Sequence, residues 1–107
     1  MTPRTATVDE LAQAMEAGEI VVIDVREDWE YDAGHVPGAR HIPMDQITRR
    51  RSELPERGAA WLICRSGNRS GQVAAFLAML GHDVINVAGG TDAWIRSGRP
   101  VLQGAAR

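Results

Sequence analysis

Short, continuous apolar runs recur along the chain and are separated by stretches with helical spacing. The three strongest runs are IVVID at 20–24, AWLIC at 60–64 and VINV at 84–87. Because these runs do not alternate between apolar and polar residues, they are typical of strands covered on both faces, as in a parallel sheet. Weaker runs predict a fourth strand at 39–42 and a very short one near 5–6.

Two stretches between these runs carry strong helix signals. The first, TVDELAQAMEAG, begins with a capping box at Thr7, places apolar residues at i, i+3, i+4 and i+7, and ends at Gly18. The second has the same spacing over 73–80 and ends at Gly81. Shorter helical turns are predicted at 27–33, 44–51 and 91–97. This alternation predicts an α/β three-layer sandwich, with helices on both faces of a parallel sheet of about five strands.

Composition narrows the class of protein further. The 107 residues suit a single domain over 1–107, with an ordered core over about 5–101. A net charge of −2 argues against a general nucleic-acid binder. The apolar runs are too short for a signal peptide or a membrane span, and a lone cysteine forms neither an intramolecular disulfide nor a cysteine-cluster metal site. We therefore expect a cytoplasmic protein that binds neither nucleic acid nor membranes.

The lone cysteine, Cys64, opens the segment CRSGNRS at 64–70, which we call the cysteine loop. A cysteine at the end of an apolar strand is often an inert core residue. Here, however, the position after a strand and before a helix directs unpaired helix amides at the thiol, which lowers its pKa. A buried structural cysteine gains nothing from two arginines and a glycine turn, so we favour a catalytic or sulfur-carrying Cys64.

The other residues of the cysteine loop suit an anion-binding site. Gly67 permits a turn that directs successive N–H groups inward. Arg65 and Arg69 add positive charge. Ser66 and Ser70 offer hydroxyl donors, and Ser70 is also expected to cap the following helix. The predicted substrate-binding residues around the catalytic Cys64 are Arg65, Ser66, Gly67, Asn68, Arg69 and Ser70.

A parallel sheet brings two further segments to the edge that carries the cysteine loop, because all its strands end there. These segments are DVRE at 24–27 and AGGTDAW at 88–94. We expect Asp24 and Arg26 to be loop-positioning residues, with Asp24 paired to Arg69. An ordinary ion pair or turn is an equally good explanation, and both remain open at the level of sequence.

Two histidines, His35 and His41, flank the segment VPGAR. No further ligand stands at a spacing that would complete a metal site, so we predict neither a metal nor a cofactor. A thiol ionised by its surroundings needs no separate base, so both histidines are assigned structural roles. Trp29 and Tyr31 either line the mouth of the site or pack a short helix, and the sequence does not choose between these roles.

The motifs together resemble those of the single-domain rhodanese-like sulfurtransferases, the rhodanese homology domain. In order, over 8–101, they are VVIDVRE, GHVPGARHIP, CRSGNRS, GGTDAW and SGRPV. Each motif is a weak pattern alone, but the five motifs in this order and at this spacing are specific to that family. The resemblance implies the rhodanese α/β fold with a five-stranded parallel sheet.

The resemblance also implies a persulfide mechanism. Cys64 would attack the outer sulfur of thiosulfate or another persulfide donor, and would pass that sulfur to cyanide or to a thiol acceptor. The amides of the cysteine loop would hold the small anionic donor, Arg65 would face it, and Arg69 would close the loop.

Two alternatives follow from the same resemblance. Rhodanese-like domains also act as persulfide relays or interaction modules for a partner protein, and an intact Cys64 does not separate a relay from an enzyme. Phosphatases and arsenate reductases of the related fold have a longer loop between cysteine and arginine. Here four residues separate Cys64 from Arg69, and by that resemblance the shorter loop favours sulfur over a phosphoryl group.

Overall fold

The computed structural model describes residues 3–104, while residues 1–2 and 105–107 of the predicted domain lie outside the described residues. The strands are β1 (Arg4–Ala6), β2 (Val21–Asp24), β3 (Arg40–His41), β4 (Ala60–Ile63) and β5 (Val84–Val87). The helices are α1 (Val8–Ala17), α2 (Asp28–Ala33), α3 (Asn68–Met79) and α4 (Gly90–Arg96). Over 3–104, no helix has both the length and the apolar character needed to cross a bilayer.

The five strands form one parallel sheet in the order β1-β5-β4-β2-β3. This confirms the predicted parallel sheet, and every predicted strand is present. Because β4 lies between β2 and β5, the segments that follow these three strands meet at the centre of the carboxyl edge of the sheet. The register pairs Asp24 of β2 with Ile63 of β4, the residue directly before Cys64.

Hydrophobic clusters cover both faces of the sheet, which explains the continuous apolar runs. Successive residues of β2 belong to different clusters. Ile23 packs in the cluster that contains Leu77 of α3, whereas Val22 packs in the cluster that contains Leu11 of α1 and Trp94 of α4. Successive side chains of a strand point to opposite faces of the sheet. A strand that is buried on both faces is therefore apolar at every position and shows no alternation with polar residues.

The helix starts differ in how well the sequence indicates them. Helix α1 has the predicted capping box, in which the Glu10 amide donates to Thr7 Oγ1 and the Thr7 amide donates to Glu10 Oε1. Helix α3 starts earlier than its apolar spacing indicates, with Gly67 at the N-cap position. The predicted cap by Ser70 is therefore wrong, because Ser70 already lies in the first turn of the helix. The predicted turn over 44–51 is instead two short 3-10 helices, Met44–Gln46 and Arg51–Glu53.

The first turn of α4 lies directly against the backbone of the cysteine loop. The amides of Thr91 and Asp92 donate to the carbonyl oxygens of Cys64 and Arg65, at 2.8 and 3.0 Å. Gly90 has φ +57, and a Cβ at this position would lie 2.5 Å from the Cys64 oxygen and 2.6 Å from the Arg65 oxygen. Only glycine therefore lets α4 approach the loop this closely.

We expect Gly90→Ala to lower the free energy of unfolding by about 2–4 kcal/mol, because the added methyl group forces α4 away from the loop backbone. Gly81→Ala is the matched control: Gly81 also has a positive φ, +90, but beyond its chain neighbours no atom would lie within 4 Å of the added methyl group. Its cost should be about 1 kcal/mol, from the backbone conformation alone. Urea unfolding measures both, and equal losses would contradict the importance of the close approach.

Candidate active site

Cys64 lies immediately after β4, at the centre of the carboxyl edge of the sheet. Its side chain is 1% exposed and packs on one side against the hydrophobic cluster below α3. On its other side the sulfur accepts hydrogen bonds from the amide of Gly67, at 3.1 Å, and from the hydroxyl of Ser70, at 3.3 Å. The sulfur thus lies at the floor of the cysteine loop, between an apolar base and polar donors.

These donors change the ionisation of the thiol. Burial of the sulfur opposes the charged form. The hydroxyl of Ser70 and the amides of Ser70, Gly67 and Ser66 favour the thiolate and outweigh burial, so the pKa of Cys64 lies below its ordinary value. Because the thiolate is the nucleophilic form of cysteine, this arrangement can attack an electrophilic atom without a separate base.

Ser70 also connects the sulfur to β5. Its hydroxyl lies 2.6 Å from Oδ1 of Asn86, and Nδ2 of Asn86 donates to the carbonyl oxygen of Gly67 at 3.2 Å. Since a hydroxyl carries one proton, the sulfur and the Asn86 oxygen compete for it. Sequence reasoning missed Asn86. The signal was an amide within the apolar run VINV, since a partly buried amide requires hydrogen-bond partners.

Arg69 extends away from the sulfur to Glu30 of α2. Its two terminal nitrogens donate to the two carboxylate oxygens of Glu30, at 2.7 and 2.8 Å. Glu30 is 8% exposed, and the hydrogen bond from Arg69 lowers its pKa from 4.5 to about 2, against the opposing effect of burial. This two-point contact ties the start of α3, and with it the cysteine loop, to α2.

Of the two alternatives that the sequence left open for Asp24, the structure shows the ordinary local ion pair, with Arg26, and not the pair with Arg69. Asp24 is wholly buried and instead accepts hydrogen bonds from Arg26, through Nε at 2.9 Å and Nη2 at 2.8 Å. Arg26 is the local partner because it lies only two residues further along the chain, and its backbone amide also donates to Oδ1 of Asp24, at 3.0 Å. Arg26 also donates to the carbonyl oxygen of Gly34 at 2.8 Å, so this pair fixes the segment around α2.

The remaining loop residues lie at the rim of the site. Arg65, Ser66 and Asn68 are exposed. Nε of Arg65 lies 3.4 Å from Oδ2 of Asp92, on the first turn of α4. Sequence reasoning placed the segment 88–94 at this edge but did not single out Asp92, because no local pattern distinguishes its carboxylate from a solvated one.

The histidines make structural contacts, as predicted. His35 donates from Nδ1 to the carbonyl oxygen of Tyr31 at 2.8 Å, and His41 donates from Nε2 to the carbonyl oxygen of Arg26 at 2.7 Å. Both imidazole rings stack on Tyr31, which is 2% exposed. Tyr31 is therefore a packing residue, whereas Trp29 is 72% exposed. Among the described residues, no three His, Cys, Asp or Glu side chains cluster as a metal site would require.

Comparison with known proteins shows which family this chain resembles. The profile of the Rhodanese-like domain family matches residues 7–97. A putative sulfurtransferase of Bacillus subtilis, YtwF, is 40% identical over 96 residues, which are 90% of this chain and 91% of that protein. A putative sulfur carrier protein of the same organism, YrkF, is 40% identical over 74 residues, 68% of this chain, although these span only 40% of its own length.

A solved structure has the same architecture. The crystal structure of a rhodanese-like domain protein from Staphylococcus aureus superimposes with a TM-score of 0.85 and 32% identity, covering 95% of this chain and 99% of that one. The similarity therefore extends over nearly the whole length of both chains. By sequence and by structure, this chain belongs to the family of rhodanese-like domains.

Proposed function

We propose that this protein is a sulfurtransferase that carries sulfane sulfur as a persulfide of Cys64. Family membership and the names of its relatives support a role in sulfur transfer or sulfur carriage in general. The proposal of a persulfide on Cys64 rests on the environment of its sulfur. The sulfur accepts hydrogen bonds from an amide and a hydroxyl, and the pKa of the thiol is lowered. A lowered pKa raises the fraction of thiolate, which is the nucleophilic form of cysteine.

The proposed reaction has two steps. The Cys64 thiolate attacks the outer sulfur of thiosulfate, the S–S bond of the donor breaks, and its electron pair leaves with sulfite. Cyanide or a thiolate then attacks the outer sulfur of the Cys64 persulfide, which releases thiocyanate or a new persulfide and restores the thiolate. Neither step requires a metal, a cofactor or a proton transfer within the protein.

The other residues of the cysteine loop bind or position in this proposal. The amides of Ser66, Gly67 and Ser70 stabilise negative charge on the sulfur. The exposed Arg65 and Asn68 face the incoming donor from the rim.

Three further residues hold the loop in place: Arg69 lies within it, and Asp24 and Arg26 lie outside it. Arg69 positions the loop through its ion pair with Glu30. The buried pair of Asp24 and Arg26 acts more remotely, by fixing the segment that carries α2. These residues therefore support the site without contacting the donor.

A persulfide relay for a partner protein is the second candidate, and the similarity to a putative sulfur carrier favours it. A relay would receive sulfur from a protein donor such as a cysteine desulfurase and would turn thiosulfate over poorly. Mass spectrometry of the protein after exposure to each donor separates the two roles. Rapid gain of one sulfur from the desulfurase, with slow thiocyanate production from thiosulfate, would favour the relay.

Cys64→Ala should leave the fold intact and reduce sulfur transfer by at least about a thousandfold, because the sequence holds no other thiol to carry the sulfur. Thiocyanate production from thiosulfate and cyanide measures turnover, and the intact mass shows whether a sulfur atom is added. Turnover close to wild type would contradict the assignment of the nucleophile. Hydrolysis of an aryl phosphate that disappears in Cys64→Ser would contradict the proposed reaction.

Ser70→Ala should raise the pKa of Cys64 and slow its alkylation by iodoacetamide at pH 7 by roughly three- to tenfold, since one donor to the thiolate is lost. Ser66→Ala is the matched control, because Ser66 is exposed and acts on the sulfur through its backbone amide. The pH dependence of the alkylation rate gives the pKa directly. Equal behaviour of the two variants would show that the Ser70 hydroxyl does not stabilise the thiolate.

Glu30→Gln should lower kcat/KM for sulfur transfer by roughly tenfold and the free energy of unfolding by about 2 kcal/mol at pH 7, because Arg69 loses its charged anchor. The pKa of Glu30 is lower in the fold than its ordinary value of 4.5, so its contribution is complete above that pH and is lost as the pH falls towards 2. The stability difference between wild type and variant should therefore shrink over this range.

Chemical unfolding at a series of pH values measures that difference. Glu56→Gln is the matched control, because it makes the same chemical change at an exposed residue. A stability difference for Glu30→Gln that stays constant between about pH 5 and about pH 2.5 would contradict the electrostatic origin of the effect.

A further inference from the structure

Three arginines in the described part of the chain lie on or beside the cysteine loop, and each is paired with a carboxylate within 3.4 Å. The pairs are Arg26–Asp24, Arg69–Glu30 and Arg65–Asp92. Each of these pairs therefore has no net formal charge. The Cys64 thiolate is stabilised mainly by hydrogen bonds from the Ser70 hydroxyl and from backbone amides, together with the start of α3, which is equivalent to roughly half a charge.

The pair of Arg65 and Asp92 differs from the other two. Asp24 and Glu30 are buried and bind their arginines through two oxygens each, so those pairs are parts of the framework. Arg65 and Asp92 instead have side chains that are 69% and 41% exposed, and they meet through a single contact of 3.4 Å. This pair faces the solvent from which a donor arrives.

The backbone holds Asp92 beside Arg65. The Asp92 amide donates to the carbonyl oxygen of Arg65 at 3.0 Å, and the preceding Thr91 amide donates to the carbonyl oxygen of Cys64 at 2.8 Å. The carboxylate is therefore kept at the rim of the site by the docking of α4 on the loop. It does not depend on the weak attraction between two exposed side chains.

We propose that Asp92 sets the donor preference of the site by cancelling the charge of Arg65, so that singly charged sulfane donors are favoured over the dianion thiosulfate. This inference rests on the sulfur transfer proposed above and names the donor class of the same site. Persulfide anions and thiosulfonates are donors of the favoured class. Asp92 acts by its charge, which offsets that of Arg65, and is therefore a specificity residue rather than a catalytic one.

The charge carried into the reaction explains the preference. A thiolate and thiosulfate together carry three negative charges, and persulfide and sulfite carry three after the S–S bond of the donor breaks. A thiolate and methanethiosulfonate carry two, and persulfide and methanesulfinate carry two. No proton moves in either reaction, so the third negative charge must be stabilised by the site. A paired Arg65 contributes less to that stabilisation than a free one.

The test compares kcat/KM for thiosulfate with kcat/KM for methanethiosulfonate, which replaces one charged oxygen of thiosulfate by a methyl group. Asp92→Asn should raise this ratio by roughly three- to tenfold, as expected for one released charge in a cleft open to water. The gain should decrease at high ionic strength. An effect that changes kcat/KM equally for both donors, such as a small shift of α4, leaves this ratio unchanged.

Asp83→Asn is the matched control. It removes the same charge from an exposed carboxylate paired with Arg4, just before β5 and hence at the opposite edge of the sheet. Its donor ratio should equal that of wild type. If Asp92→Asn gives the same ratio as Asp83→Asn, the proposal is wrong.

A double-variant cycle tests whether the charge of Asp92 offsets that of Arg65. Arg65→Ala alone should lower the ratio by roughly three- to tenfold, because it leaves the Asp92 carboxylate uncompensated. The double variant Asp92→Asn, Arg65→Ala should return the ratio close to wild type. If the double variant has the same raised ratio as Asp92→Asn alone, the charge of Arg65 plays no part and the proposal is wrong.

A second readout separates this inference from the proposed function. If neither donor adds sulfur to Cys64 in the wild type, sulfur transfer is wrong, but the local charge is still measurable. Alkylation of Cys64 by anionic iodoacetate relative to neutral iodoacetamide should then rise in Asp92→Asn and fall in Arg65→Ala. If the alkylation ratio is unchanged in both variants, Asp92 does not set the charge at the rim, whatever the outcome of the sulfur-transfer assays.

Discussion

The hydrogen bond from the Gly67 amide to the Cys64 sulfur depends on one backbone conformation. Gly67 has φ +103, in the region that favours glycine, and it forms the N-cap of α3. In this conformation its carbonyl oxygen accepts hydrogen bonds from the Gly71 amide and from the Asn86 side chain. The loop around the sulfur is therefore fixed both by the first turn of α3 and by β5. Because the amides that stabilise the thiolate belong to this fixed backbone, they need no reorganisation when the sulfur becomes charged.

The parallel sheet explains why residues far apart in sequence flank the loop on both sides. Strand β4, which ends directly before Cys64, lies between β2 and β5, and each of these neighbours is followed by a short helix. Helix α2 brings Glu30 to Arg69 on one side, and α4 brings Asp92 to Arg65 on the other. The position of β4 between β2 and β5 thus brings both carboxylates to the loop. The buried contact of Glu30 anchors the loop, while the exposed contact of Asp92 adjusts the charge at its rim.

The sequence predicted the sheet well because strands that are buried on both faces are continuously apolar. It indicated Cys64 as a candidate nucleophile because glycine, serines and arginines follow the strand directly, a combination that suits an anion-binding loop. It did not predict which carboxylate meets which arginine. Glu30 is one of four acidic residues between 27 and 32, and only the packing of α2 decides which of them faces Arg69. The expected partner Asp24 is instead taken by Arg26, the local alternative. Ion pairs between distant segments depend on how the helices pack, and the spacing of apolar residues along the sequence gives no information about that packing.

In the proposed function, the reactivity of Cys64 and the choice of donor are controlled by different parts of the site. The thiolate of Cys64 is stabilised by hydrogen bonds in a buried environment, where salt screens little and each bond is strengthened by the apolar floor. Arg65 and Asp92 lie at the exposed rim, where their charges act on an approaching anion and are sensitive to ionic strength. A substitution at the rim can alter which anion approaches while the amide donors to the sulfur stay in place. We therefore expect that the same fold keeps one nucleophile and changes its preferred donor through a single carboxylate at the rim.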